Sequence, residues 1–212
     1  MNKRLMNTFK PWWISAVAAP LLCCLGMPPA QAGIAFEHWT QPSGVQVYLA
    51  PSAAIPMLDV QIDFDAGSRR DPAPLAGLAA VTAGMATKGV RAGATAQQPA
   101  LDENALGEAW ADLGASYGVH VDNDRMSFSM RSLTYPDLLP QAVALVARQL
   151  AQPSFPPEIW QRERASMVAA LREANTRPAT RAERAFSQAV YGSHPYAQEV
   201  TEASLARITV TD

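Results

Sequence analysis

Between Met57 and Phe64 the sequence reads MLDVQIDF, in which Leu58, Val60, Ile62 and Phe64 alternate with Asp59, Gln61, Asp63 and, just beyond, Asp65. A period of two puts one apolar and one wet face on a strand, and such a strand is stable only in a sheet whose apolar face is covered by a second layer. The same alternation recurs downstream. In GVHVDNDRMSFSMRSL, Met126, Phe128 and Met130 alternate with Ser127, Ser129 and Arg131, and the segment reads as a strand pair joined by a short turn. VQVYLA, residues 45–50, supplies another strand.

The intervening and following segments carry helical signals. AGSRRDPAP breaks the first pattern with Gly67, Pro72 and Pro74, after which residues 75–87 read as a helix of small residues. Residues 102–115 predict a second helix, and residues 136–151 a third whose Leu139, Val143, Val146 and Leu150 form one apolar stripe. Pro153, Pro156 and Pro157 end it; residues 158–175 and 179–191 predict two more helices. There is no internal repeat and no low-complexity linker. Strands with hairpin spacing, followed by helices, predict an α+β fold: an antiparallel sheet with helices packed on one face.

The first 32 residues are of a different kind. Lys3, Arg4 and Lys10 precede the apolar run WWISAVAAPLLCCL, and PPAQA follows, with Ala30 and Ala32 at the spacing a signal peptidase reads. A run interrupted by Pro20 is shorter than the ~20 apolar residues that span a bilayer, so a cleaved signal peptide over residues 1–32 is expected rather than an anchor. Export to the periplasm follows from that expectation. Both cysteines, Cys23 and Cys24, lie inside this segment, which leaves the mature chain without disulfides, thiolate catalysis or cysteine-ligated metal. The segment holds three basic residues and no acid, so the mature chain carries 14 basic against 19 acidic residues. That balance disfavours nucleic acid and anionic membrane surfaces as partners.

The residues capable of chemistry are sparse. His38, His120 and His194 are far apart, and none has a second ligand at metal-binding spacing on its own segment. No Gly-x-Ser-x-Gly elbow and no phosphate-cradling glycine loop is present. Asp63 and Asp65 share a strand face, as a catalytic acid pair would, although alternation already accounts for them as solvent-facing. Spacing and composition alone therefore stop at an exported α+β domain without a visible catalytic set.

Four stretches together go further. DFDAGSRRDPAPLAGLA, ATKG, LGASYGVHVDNDRMSFSMRSL and YGSHPYAQEV resemble, in order and spacing, the N-terminal domain of the M16 metallopeptidases, the insulinase and mitochondrial processing peptidase family, and in particular its short bacterial members. The similarity covers nearly all of residues 33–212. In active members the helix after the Gly-Ser turn reads Gly-Leu-Ala-His-x-x-Glu-His-Met: two histidines one turn apart hold zinc, and the glutamate polarises the attacking water. Here Gly77, Leu78, Ala79, Met85, Lys88 and Gly89 match that frame, but the histidine positions fall on Ala80 and Gly84 and the glutamate position on Ala83. The third ligand of active members lies seven residues after the glutamate of a Glu-Arg pair; Glu163 and Arg164 supply the pair, and the ligand position falls on Ala170. Glu173 lies further along the same helix and reads as a surface residue. A strand-edge Asn that active members bring to the substrate backbone is replaced by Ser116-Tyr117-Gly118.

The resemblance implies an M16-like fold with no catalytic residue, no metal ligand and no cofactor of its own. Its degenerate positions are Ala80, Ala83, Gly84 and Ala170. It implies a non-catalytic subunit that forms a peptide-binding chamber with a zinc-containing M16 partner, acting on a peptide or unfolded-protein substrate. It also implies an incomplete domain over residues 33–212, with the second homologous domain absent from this chain. An exported binding or scaffold module without such a partner, or an active zinc peptidase using other ligands, are the alternatives.

Overall fold

The structure, a computed structural model, describes residues 36–52 and 54–212; the expected signal peptide lies outside them. The chain divides into two units, residues 1–54 and 55–212. The described part of the first is a hairpin of β1, Glu37–Thr40, and β2, Gln46–Leu49, paired antiparallel with His38 opposite Tyr48.

The second unit is built on an antiparallel sheet of order β3-β7-β6, formed by β3 (Met57–Phe64), β6 (Ser116–Val121) and β7 (Met126–Leu133). β7 is the central strand, with Val60 opposite Met130 on one side and Tyr117 opposite Met130 on the other. This register gathers Leu58, Val60, Tyr117, Val119, Met126, Phe128 and Met130 on one face and leaves Asp59, Asp63, His120, Ser129 and Arg131 on the other. A two-residue ribbon, β4 (Gly89–Val90) with β5 (Leu101–Asp102), lies apart.

The helices are α1 (Leu78–Met85), α2 (Glu103–Asp112), α3 (Leu139–Ala151), α4 (Pro157–Thr176), α5 (Pro178–Tyr191) and α6 (Glu202–Arg207). Leu106 and Trp110 of α2 and Ala142, Leu145 and Val146 of α3 pack with Met130, Leu58 and Val60. Ala79, Ala83 and Ala86 pack with Met126 and Phe128. All three helices therefore cover the same sheet face, as the alternation predicts. A third cluster joins Val81 and Met85 of α1 to Trp160 of α4, Leu205 and Ile208. Complete burial of a side chain such as Leu205, 1% exposed, contributes about 2 kcal/mol.

Three expectations change. The small-residue helix begins at Leu78 rather than 75, because Ala73–Leu75 is a 3-10 turn and the buried carboxylate of Asp71 accepts the Gly77 and Ala79 amides at 2.9 and 3.0 Å, fixing the start of α1. Gly77 adopts φ +100°, where a side chain would be strained and would also press on Val200. The buried stripe of α3 is Ala142, Leu145, Val146 and Gln149, and Val143 is 45% exposed. Buried Gln149 sets this rotation: it accepts from Trp110 Nε1 and donates to the Ala86 carbonyl, both at 3.0 Å. Finally, Phe64 is exposed and Leu58, Val60 and Ile62 are only half-buried, because among the described residues β3 pairs with β7 alone.

Candidate functional site

Helix α1 is held on two sides. Ala83 faces the sheet with Ala79 and Ala86, while Val81 and Met85 face α4, where Trp160, Met167 and Val168 meet them. The close approach to the sheet requires residues as small as alanine, which is why the helix carries them. The remaining side is open: Ala80 and Gly84, one turn apart, are exposed, and a Cβ built on Gly84 meets nothing within 4 Å. On α4, Glu163 is half-buried and Ala170, two turns further on, is exposed.

The entrance to α1 is fixed by a turn of unusual closeness. A Cβ on Gly67 would lie 2.4 Å from the backbone of Asp124 and Arg125, so only glycine lets the 3-10 turn Ser68–Arg70 reach the β6–β7 turn. Ser68 and Arg69 amides donate to the carbonyls of Asp122 and Asn123 at 3.0 Å. Tyr196, from the HPY segment, donates its hydroxyl to Asp124 at 2.7 Å, and Arg69 lies 2.9 Å from the same carboxylate. These contacts give the Gly-Ser and His-Pro-Tyr stretches a common structural task.

Around the far end of α1 sits an ionic cluster. Lys88 Nζ lies 2.6 Å from Glu103 Oε1 and 3.4 Å from Glu163 Oε1, and Arg162 lies 2.7 Å from Glu103 and 2.8 Å from Glu163. Hydrogen bonds from Arg162, then Lys88, hold Glu103 below the ordinary glutamate range. Arg162 is also the main cause of the lowering at Glu163, with Lys88 adding to it. The Glu103 hydrogen bond raises Lys88 in turn. Both carboxylates are committed as anions to cations, and neither is poised to take or give a proton near neutrality. Sequence reasoning paired Glu163 with the third-ligand position and missed Lys88 as its partner, although Lys88 stands in the matched ATKG stretch.

The side chains present do not fit a zinc ion. Ala80, Gly84 and Ala170 offer no ligating atom, and Glu173 is exposed and paired with Arg177. His38 hydrogen-bonds Gln46 at 2.8 Å and stacks on Tyr48, whereas His194 Nδ1 accepts the Tyr196 amide. Among the described residues, no group of three or more His, Cys, Asp or Glu side chains is arranged to hold a metal. Asp63 and Asp65 are likewise engaged, Asp63 by Ser127, Gln61 and Arg125 and Asp65 by Arg69 and Arg70. On β6, Tyr117 turns inward to stack on Trp110, ring centroids 5.6 Å apart; its buried hydroxyl has no hydrogen-bond partner among the described residues, and burial pushes its pKa well above the usual phenol value. Beside α1 a cavity of about 40 Å³, lined by Val81, Thr82, Met85 and Trp160 among others, has room for little more than a water molecule. No helix among the described residues is long and apolar enough to cross a membrane.

Comparison with known proteins agrees with this frame. The family described as Insulinase (Peptidase family M16) matches residues 47–204. Among solved structures, the chain is similar to the inactive domain of an M16 peptidase from Pseudomonas fluorescens, at 27% identity and a TM-score of 0.75 over 84% of this chain and 41% of that one. A protease from Helicobacter pylori shares the fold at 16% identity and a TM-score of 0.70, again over 84% and 41% of the two chains. The periplasmic protease PqqL of Escherichia coli does so at 19% identity and a TM-score of 0.68, over 88% of this chain and 20% of that one. The chain thus spans less than half the length of each. No match was found among curated proteins.

Proposed function

Because the chain belongs to the insulinase family, peptidase family M16, we propose that it acts as a non-catalytic unit of an M16 peptidase assembly, shaping a peptide-binding chamber whose hydrolytic zinc is carried by a partner. One observation carries the proposal: the open side of α1 presents Ala80 and Gly84, with Ala170 exposed on α4, where zinc ligands would have to stand. The frame around these positions is kept intact by Asp71, Lys88 and Gly67. Retention of the scaffold without ligands fits a role in binding or assembly rather than bond cleavage. The inactive M16 domain from Pseudomonas fluorescens supports the same reading. Its place of action is the periplasm, after removal of residues 1–32.

The test is co-expression with a zinc-bearing M16 chain from the same genome, followed by size-exclusion chromatography, metal analysis and a peptidase assay. The purified protein is expected to hold no stoichiometric zinc and cleave no peptide alone, yet to co-elute with the zinc chain and change its rate. About one zinc per chain surviving a chelator wash defeats the non-catalytic reading. A zinc chain that elutes alone, with unchanged activity, defeats the subunit reading and leaves a scaffold role.

A further inference from the structure

Asp71 is 9% exposed, and its carboxylate is aimed at the start of α1: Oδ2 accepts the Gly77 amide and Oδ1 the Ala79 amide. Both belong to the amides that a helix leaves without a partner in its first turn, and the anion also answers the positive end of the helix. The chain just before this point is tied down. The Ser204 hydroxyl donates to the Ala76 carbonyl at 2.8 Å, the Gln198 side chain donates to the Asp71 carbonyl at 3.3 Å, and Val200 stands against Gly77. Between the anchored Ala76 and the first helical residue, Leu78, lies Gly77 alone, at φ +100°. The start of α1 is therefore a glycine joint whose first turn is capped by one carboxylate.

We infer that this joint responds to acid: a proton on Asp71 releases one of the two amides it holds and lets the first turn of α1 pivot at Gly77 while the rest of the fold stands. A neutral carboxyl turns one of its oxygens from acceptor to donor and can no longer hold both amides. Among the described residues no cation compensates Asp71. Helix α1 carries no charged side chain, and around Asp71 Arg69 pairs with Asp65 and Asp124, Arg70 with Asp65, Arg125 with Asp63, Glu199 with Arg184 and Glu202 with Arg172. Asp122 accepts the Asp124 and Arg125 amides, Tyr196 donates its hydroxyl to Asp124, His194 Nδ1 accepts the Tyr196 amide, and Arg207 stands at the opposite end of α6 from Glu202. Burial pushes the Asp71 carboxyl above its ordinary value, outweighing the Ala79, Gly77 and Leu78 amides that pull it down. Asp59, Asp63, Asp65 and Asp122 move the other way through their hydrogen bonds, so Asp71 takes up its proton before they do. With a raised folded value the fold binds this proton more readily than the unfolded chain. Asp71's share of stability is therefore complete below the unfolded value of about 3.9 and is lost as pH rises through the folded one, so acid loosens the joint without unfolding the chain through this group. Ala80 and Gly84 lie on α1, and acidity thereby acts on the helix that carries them, whether or not a peptidase partner is present.

The experiment follows amide chemical shifts and hydrogen-exchange protection by nuclear magnetic resonance on the full chain, from about pH 7 to about pH 4. The Gly77 and Ala79 amides are expected to share one titration step with a midpoint above the ordinary aspartate value of about 3.9, and at least one of them to lose about tenfold in protection across it, while the β7 amides stay protected. Asp71→Asn, a neutral analogue of the protonated side chain, should abolish the step and give both amides at neutral pH the protection they have in the acid form of the parent. Glu202→Gln, which neutralises a nearby ion-paired carboxylate, should leave the step in place. Gly77 and Ala79 amides that keep their shifts and protection until β7 also exchanges overturn the inference. So does a step that survives Asp71→Asn or vanishes in Glu202→Gln. Should Asp71→Asn not fold, the parent's titration decides alone, and a midpoint at or below about 3.9 overturns the inference.

Discussion

Lys88, just beyond the end of α1, and Glu163 on α4 place ammonium and carboxylate 3.4 Å apart, joining the two helices on which the family resemblance locates the metal ligands. Glu103 completes the link from the start of α2 at 2.6 Å. Lys88→Met should destabilise the fold by about 1–3 kcal/mol, because it removes charge-assisted hydrogen bonds from a mostly buried cation and leaves two carboxylates sharing Arg162 alone. Urea denaturation measures this; a change within error would mean the cluster is a surface decoration.

Gln149 is the more stringent case. It is 1% exposed, and its amide closes a bridge from Trp110 on α2 to the Ala86 carbonyl after α1. Gln149→Ala leaves a buried indole N–H and a buried carbonyl without partners and opens a cavity, a loss of about 2–5 kcal/mol. Thermal unfolding followed by near-ultraviolet circular dichroism should show the loss together with a changed Trp110 environment. Gln149→Glu should cost at least as much at neutral pH, since the buried carboxylate would face the Ala86 carbonyl.

The pH profile follows from the same cluster. Glu103 and Glu163 have folded pKa values below those of the unfolded chain, so their stabilisation is present above about pH 4.3 and is lost as pH falls through the lower folded values. Lys88 has a raised folded pKa; its share is complete below about pH 10.4 and fades as pH rises through the folded value. Denaturation midpoints should therefore form a plateau between these limits. The acid slope should be shallower in Glu103→Gln than in the parent, and equal slopes would contradict the assignment.

Much of this architecture was legible because its causes are local. Alternation in MLDVQIDF and MSFSMRSL fixes which residues face the helices, and the sheet has that face covered by α1, α2 and α3. What the sequence concealed depends on distant partners. Val143 fits an apolar stripe by spacing, but the buried Gln149, bonded to residues 39 and 63 positions away, turns α3 so that Val143 points outward. Phe64 fits the buried face of β3 by parity and is exposed, because among the described residues β3 pairs only with β7. At the site, the placement of Ala80 and Gly84 on one helix face follows from their i, i+4 spacing, whereas the pairing of Lys88 with Glu103 and Glu163 joins three segments far apart in the chain, and spacing does not reveal it.

The sharpest prediction concerns restoring a metal site. Ala80→His and Gly84→His place two imidazoles one turn apart on an exposed face, and the open space around Gly84 accepts the larger side chain. Val81 and Met85, next to them, pack with Met167 and Val168 of α4, and the exposed Ala170 lies on that same helix. The triple variant with Ala170→Glu should thus bind zinc, measured by isothermal titration, whereas the double histidine variant should bind it more weakly and the parent not at all. Adding Ala83→Glu is a different matter. Ala83 is buried with Ala79, Ala86, Met126 and Phe128, so a carboxylate there enters an apolar cluster without a cation and should destabilise by about 3–5 kcal/mol. The triple variant should therefore fold and bind metal, while the quadruple variant binds metal, if at all, with a lowered melting temperature and little hydrolysis. If the triple variant folds but gains no zinc affinity over the double, α1 and α4 are not aligned as the resemblance requires, and the assignment of Ala170 falls.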